Sequence, residues 1–159
     1  MKLLVDFQTA SRQPLPTQED MRKWIRAALT GRTAQTLVEI SVRLVDQDEM
    51  AQLNETYRGK KGATNVLTFP ANLPAELHIP LLGDIVICAP LVAVEAAQQG
   101  KIENAHWAHM TIHGALHLLG YDHIDEEDAT TMEALESSIL MDLNYACPYE
   151  PLQACEHLL

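Results

Sequence analysis

DIVIC, residues 84–88, is a continuous apolar, β-branched run that follows a glycine, the composition of a strand buried on both faces. A strand of that kind needs covering layers above and below it. Pro90 suits the first turn of a helix over 90–99, which Gly100 closes. Upstream, VEISVRLV (38–45) alternates apolar and polar residues, so Val38, Ile40, Val42 and Leu44 share one buried face. KLLVDF (2–7) and Val66–Phe69 read as two further strands, the latter ending at the proline-interrupted stretch that runs through Pro70, Pro74 and Pro80.

Helices fill the intervals. Thr17 can cap a helix whose Met21, Trp24, Ile25, Ala28 and Leu29 repeat at helical spacing. Asp46 and Glu49 form a D-x-x-E capping box ahead of Met50, Leu53 and Tyr57, and Gly59 ends that helix. Two more helices are expected over about 104–119 and 125–143. The order is strand, helix, strand, helix, two strands, three helices. That predicts an α/β (α+β) chain, one domain over residues 1–159, with a four-stranded mixed sheet covered by about five helices. The tail from Cys147, with Pro148 and Pro151, is expected to be loosely held.

Composition narrows the function classes. With 159 residues and 47% hydrophobic content the chain can bury a core without staples. No apolar run reaches the roughly 18 residues of a membrane span, and the N-terminal apolar run is too short for a signal peptide. A cytoplasmic protein is expected. Cys88, Cys147 and Cys155 are odd in number and form no CxxC pair, which argues against a disulfide framework. The net charge is −11, yet all eleven Lys and Arg residues lie at or before Lys101, and eleven of the 22 acidic residues lie after it. An anionic substrate would therefore need cations from the first part of the chain, where Arg58, Lys60 and Lys61 are densest; a solvated helix end is the plainer role for such a cluster.

The chemistry concentrates in HGALHLLGYDH, residues 113–123. His113 and His117 lie one helical turn apart, so their rings leave the same face with Cβ atoms roughly 6 Å apart. Gly120 can take the left-handed conformation that ends a helix and turn His123 back towards them. Three protein ligands with a fourth position left to water is the pattern of a hydrolytic zinc centre. Nickel or copper would also suit three imidazoles. His109 also shares this face, but about 12 Å of helix rise separates it from His117, so it is expected to be a core or supporting residue; His106 is expected at the surface. In HExxH peptidases a glutamate follows the first histidine and takes the proton from water. Here Gly114 occupies that place.

HGALHLLGYDH, LNETYRGKKGATNVLTFP and GDIVIC together resemble the YbeY family of bacterial rRNA maturation factors and single-strand endoribonucleases, in the family's order and over most of the chain. The resemblance implies zinc on His113, His117 and His123, with water or hydroxide attacking phosphorus in RNA. It places the family's arginine on Arg58, whose guanidinium matches phosphate oxygens in a two-pronged geometry. It further implies a part in small-subunit rRNA 3′-end maturation and ribosome quality control, with the ribosome as partner. Asn65 stands where the family commonly has aspartate, and it cannot take a proton at neutral pH. The rival readings are a metallohydrolase of peptide or amide substrates and a non-enzymatic ribosome-assembly factor with a structural metal.

Overall fold

Strand β4 (Leu81–Cys88) lies inside the sheet, between β2 (Leu37–Val45) and β3 (Val66–Pro70), with β1 (Lys2–Ala10) beyond β2. The computed structural model describes residues 1–121 and 126–149, with backbone alone at Ala75 and Glu126. His123, the residues beside it and the tail beyond 149 lie outside the described residues. β1, β2 and β4 run parallel, and β3 pairs antiparallel with β4. The expected four-stranded mixed sheet is therefore present, with five α-helices among the described residues: α1 (Gln18–Leu29), α2 (Gln47–Arg58), α3 (Ala89–Gln98), α4 (Glu103–Leu118) and α5 (Glu126–Asp142).

β4 is buried on both faces, as DIVIC predicts. Ile85 and Ile87 join the larger core with Val38, Ile40, Val42 and Leu44 of β2, under α1, α4 and α5. Val86 and Cys88, of opposite parity, join Val45, Leu67 and Met50 of α2 on the other face. Thus α2 and α4 cover opposite sides of the sheet.

Local signals hold at some helix ends and yield to tertiary partners at others. Thr17 Oγ1 accepts from Asp20 N at 3.1 Å, the expected cap. The capping box at Asp46 does not form: Asp46 makes no cap bond and instead accepts from Ser11 Oγ and from Arg12 N. Glu49 turns to Arg43, with Oε1 2.9 Å from Nη2 and Oε2 against Nε. A two-pronged, charge-assisted pair outweighs one backbone N–H. Against the expectation of no disulfide, Cys147 is disulfide-bonded; Cys88 is a free, buried thiol.

α4 is buried nearly all round, from His106 to Leu118, with His113 and His117 half-buried. Its approach to the sheet is set at Gly114, where an added Cβ would lie 2.9 Å from Ile85 Cγ2. A side chain in the place of the peptidase glutamate would therefore have to displace Ile85. Alanine at 114 would gain about 1 kcal/mol of helix propensity, but overlap in a packed core costs about 1–3 kcal/mol. Chemical denaturation of Gly114→Ala should show a net loss of up to about 2 kcal/mol; a gain in stability would mean that α4 rides higher over β4 than this contact requires.

Candidate metal centre

Helical periodicity puts His106, His109, His113 and His117 on one stripe of α4, and the packing gives each a different partner. His113 and His117 face each other, with ring centroids 4.5 Å apart and Nε2 atoms 3.1 Å apart. Two imidazoles bound to one zinc at about 2.0–2.1 Å in tetrahedral geometry have their nitrogens about 3.3 Å apart, so the pair fits a shared ion. The helix then ends as expected: Tyr121 N donates to Leu116 O and Gly120 N to His117 O, with Gly120 at φ +102°. Among the described residues no group of three His, Cys, Asp or Glu side chains converges on a metal position; His123, the expected third ligand, lies outside them.

The other nitrogen of His113 is held by a residue that spacing rules for metal ligands do not find. Nδ1 of His113 lies 2.5 Å from Oε1 of Glu136 on α5, whose side chain is 1% exposed. The second oxygen of Glu136 lies 2.7 Å from His109 Nε2 and also accepts from the Tyr149 hydroxyl. Burial pushes the Glu136 carboxyl up, but the bonds from His109 and His113 and their charges outweigh it and leave it at about 2. Burial and the Glu136 charge push the Tyr149 phenol above its ordinary value, so it remains a donor. One signal for Glu136 was present: it stands four residues from both Met132 and Leu140, on the apolar face of its helix.

His106 is not at the surface. It is 2% exposed, with Nε2 2.9 Å from Glu95 Oε1 on α3, and burial pushes its imidazole down, towards the neutral form. Glu95 in turn accepts from Asn65 Nδ2 at 3.2 and 3.3 Å. Asn65 therefore belongs to the Glu95–His106 group, one step removed from the facing pair His113 and His117. His109 is buried, as expected of a core residue, and spends Nε2 on Glu136. Arg58 is exposed at the last turn of α2, on the far side of the sheet, and makes no hydrogen bond or ion pair among the described residues. Its neighbour Tyr57 packs edge-on against Phe69 of β3, with centroids 5.3 Å apart.

Residues 6–144 match the family model described as Endoribonuclease YbeY. The chain belongs to the YbeY family. Proteins named Endoribonuclease YbeY from Pseudomonas fluorescens and Pseudomonas syringae pv. tomato are 55% and 53% identical to it. Those alignments cover 92% and 98% of this chain and 96% and 93% of the relatives. A namesake from Cellvibrio japonicus is 54% identical over 92% of this chain and 81% of its own. The solution structure of TM1509 from Thermotoga maritima has the same fold, with a TM-score of 0.59 at 23% identity, covering 89% of this chain and 92% of that one. No helix among the described residues is long and apolar enough to cross a membrane.

The Asn65–Glu95 contact gives a prediction about this YbeY chain. Asn65→Asp sets a second carboxylate against Glu95, whose side chain is 29% exposed. The variant should lose on the order of 1 kcal/mol at pH 7, from like charges set side by side. Thermal melts of both proteins at neutral pH measure this, and an equal or higher melting temperature for the variant would refute it.

Proposed function

We propose that this chain is a zinc-dependent, single-strand-specific endoribonuclease that matures the 3′ end of small-subunit rRNA in the cytoplasm and serves ribosome quality control, with the small subunit or its associated proteins as partner. Nickel or copper could replace zinc on the same nitrogens. One observation carries the metal reading. Nε2 of His113 and Nε2 of His117 lie 3.1 Å apart on a half-buried stripe, and the other nitrogen of His113 is fixed by a buried carboxylate. The relatives' shared name, Endoribonuclease YbeY, supports RNA as substrate.

His113, His117 and His123 would hold the ion, which when bound supplies Lewis acidity towards water and phosphodiester oxygens. Arg58 would steady phosphate charge. It sits on the other sheet face from α4, yet a run of contacts links the two places. Tyr57 touches Phe69 of β3, and a Cβ at Gly83 would meet both Phe69 O, at 2.5 Å, and Leu118 Cδ2, at 2.8 Å. Leu118 follows His117 directly. Arg58 and His117 thus lie at the same end of β3, and an extended RNA strand crossing that end would meet both. With a net charge of −11, the free chain attracts phosphate weakly, so affinity would come mainly from the ribosomal partner. A peptidase reading is disfavoured at Gly114, which lacks the carboxylate and where any side chain would have to displace Ile85.

Cleavage of a defined single-stranded rRNA precursor tests the reading. Metal depletion and His117→Ala should each abolish cutting, Arg58→Ala should slow it about 100-fold, and Arg58→Lys should recover only part of that. Undiminished cutting by the metal-depleted protein overturns the mechanism. Loss of fold on metal removal together with an unaffected Arg58→Ala protein would favour the assembly factor with a structural metal.

A further inference from the structure

We infer that Glu136 is the positioning residue of the metal centre, holding His113 in the tautomer that carries its proton on Nδ1 and presents Nε2 as an acceptor towards His117; as a statement about a metal site this rests on the reading above. A carboxylate can only accept hydrogen bonds, so each ring nitrogen facing Glu136 must donate. His113 Nδ1, at 2.5 Å from Oε1, therefore carries a proton. In the neutral ring Nε2 then carries a lone pair, and this is the atom 3.1 Å from His117 Nε2. A carboxylate bonded to the remote nitrogen of a metal-binding imidazole fixes its tautomer and orientation and raises its basicity.

Glu136 is itself held. Its other oxygen receives His109 Nε2 at 2.7 Å and the Tyr149 hydroxyl, so three donors pin two oxygens. His109 is thereby a support for Glu136 rather than a ligand. Holding α5 against α4 does not account for this arrangement. Met132, Ile139 and Leu140 of α5 already sit in the core with Ile112, Ala115 and Leu116 of α4. A buried carboxylate bonded to imidazoles adds little net stability over apolar side chains of similar size. What a carboxylate does here and a leucine could not is choose which nitrogen of His113 bears the proton.

Glu136→Gln keeps the shape and removes the double acceptor. The amide oxygen can serve one histidine, and its NH2 then faces a donor on the other. Two measurements test the inference. Ring 15N shifts of His113 in the metal-free protein at neutral pH should report a protonated Nδ1 in the parent and a mixed or reversed tautomer in Glu136→Gln. Competition of Glu136→Gln against a chromogenic chelator should show zinc affinity 10–100-fold below that of the parent, with His109→Leu falling between the two. Circular dichroism melts of the metal-free proteins separate lost fold from lost positioning. A protonated Nε2 on His113 in the parent overturns the inference. So does a folded Glu136→Gln protein with unchanged tautomer and unchanged zinc affinity. A parent that binds no zinc, yet has its His113 tautomer set by Glu136, would instead sink the zinc reading and leave the positioning role standing.

Discussion

The close seating of α4 on β4, with Gly114 against Ile85, is the constraint from which the site follows. On a helix buried on nearly every side, each donor or acceptor left unpaired costs about 1–3 kcal/mol, so the partners that reach its polar groups matter. α4 carries four histidines into this setting. α3 and α5 supply Glu95 and Glu136 to His106 and to the pair His109 and His113, while His117 faces His113. Bringing the helix so near the sheet also penalises a side chain at 114, so the seating that creates the site works against one type of general base in it.

The polar groups form two units. Asn65, Glu95 and His106 make one, near the start of β3. His109, Tyr149, Glu136, His113 and His117 make the other, towards the C-terminal end of α4. The rings of His106 and His109 lie 5.9 Å apart, and Nδ1 of each is buried without a hydrogen-bond partner among the described residues. Only the second unit reaches the half-buried part of the stripe. This division explains how asparagine can stand at position 65: it donates to Glu95, a bond that an ionised aspartate could not make.

Much of the fold was legible because its signals are short-ranged. The apolar run of DIVIC, the alternation in VEISVRLV and the Thr17 cap each depend on a few adjacent residues, and each has its structural counterpart. The capping box at Asp46 was equally local and did not form, because Ser11 and Arg43 lie close in space and compete for the same carboxylates. The burial of His106 is not legible for a related reason: nothing near it in sequence announces Glu95 on another helix. Glu136 left one trace, a carboxylate on an apolar helical face, which a search for metal-ligand spacings passes over.

By itself the sequence determined the order of elements, a central strand buried on both faces, the adjacency of His113 and His117 and the turn at Gly120. All of these follow from backbone periodicity and conformational preference, which act within a few residues. Only the tertiary structure decided that α2 and α4 cover opposite faces, so that Arg58 and His117 share an end of β3 without sharing a surface. It alone decided that Glu136, twenty-three residues beyond His113, orients that ring. Hydrogen-bond partners are chosen by distance in space and by competition among all groups within reach, and neither is written in the spacing along the chain.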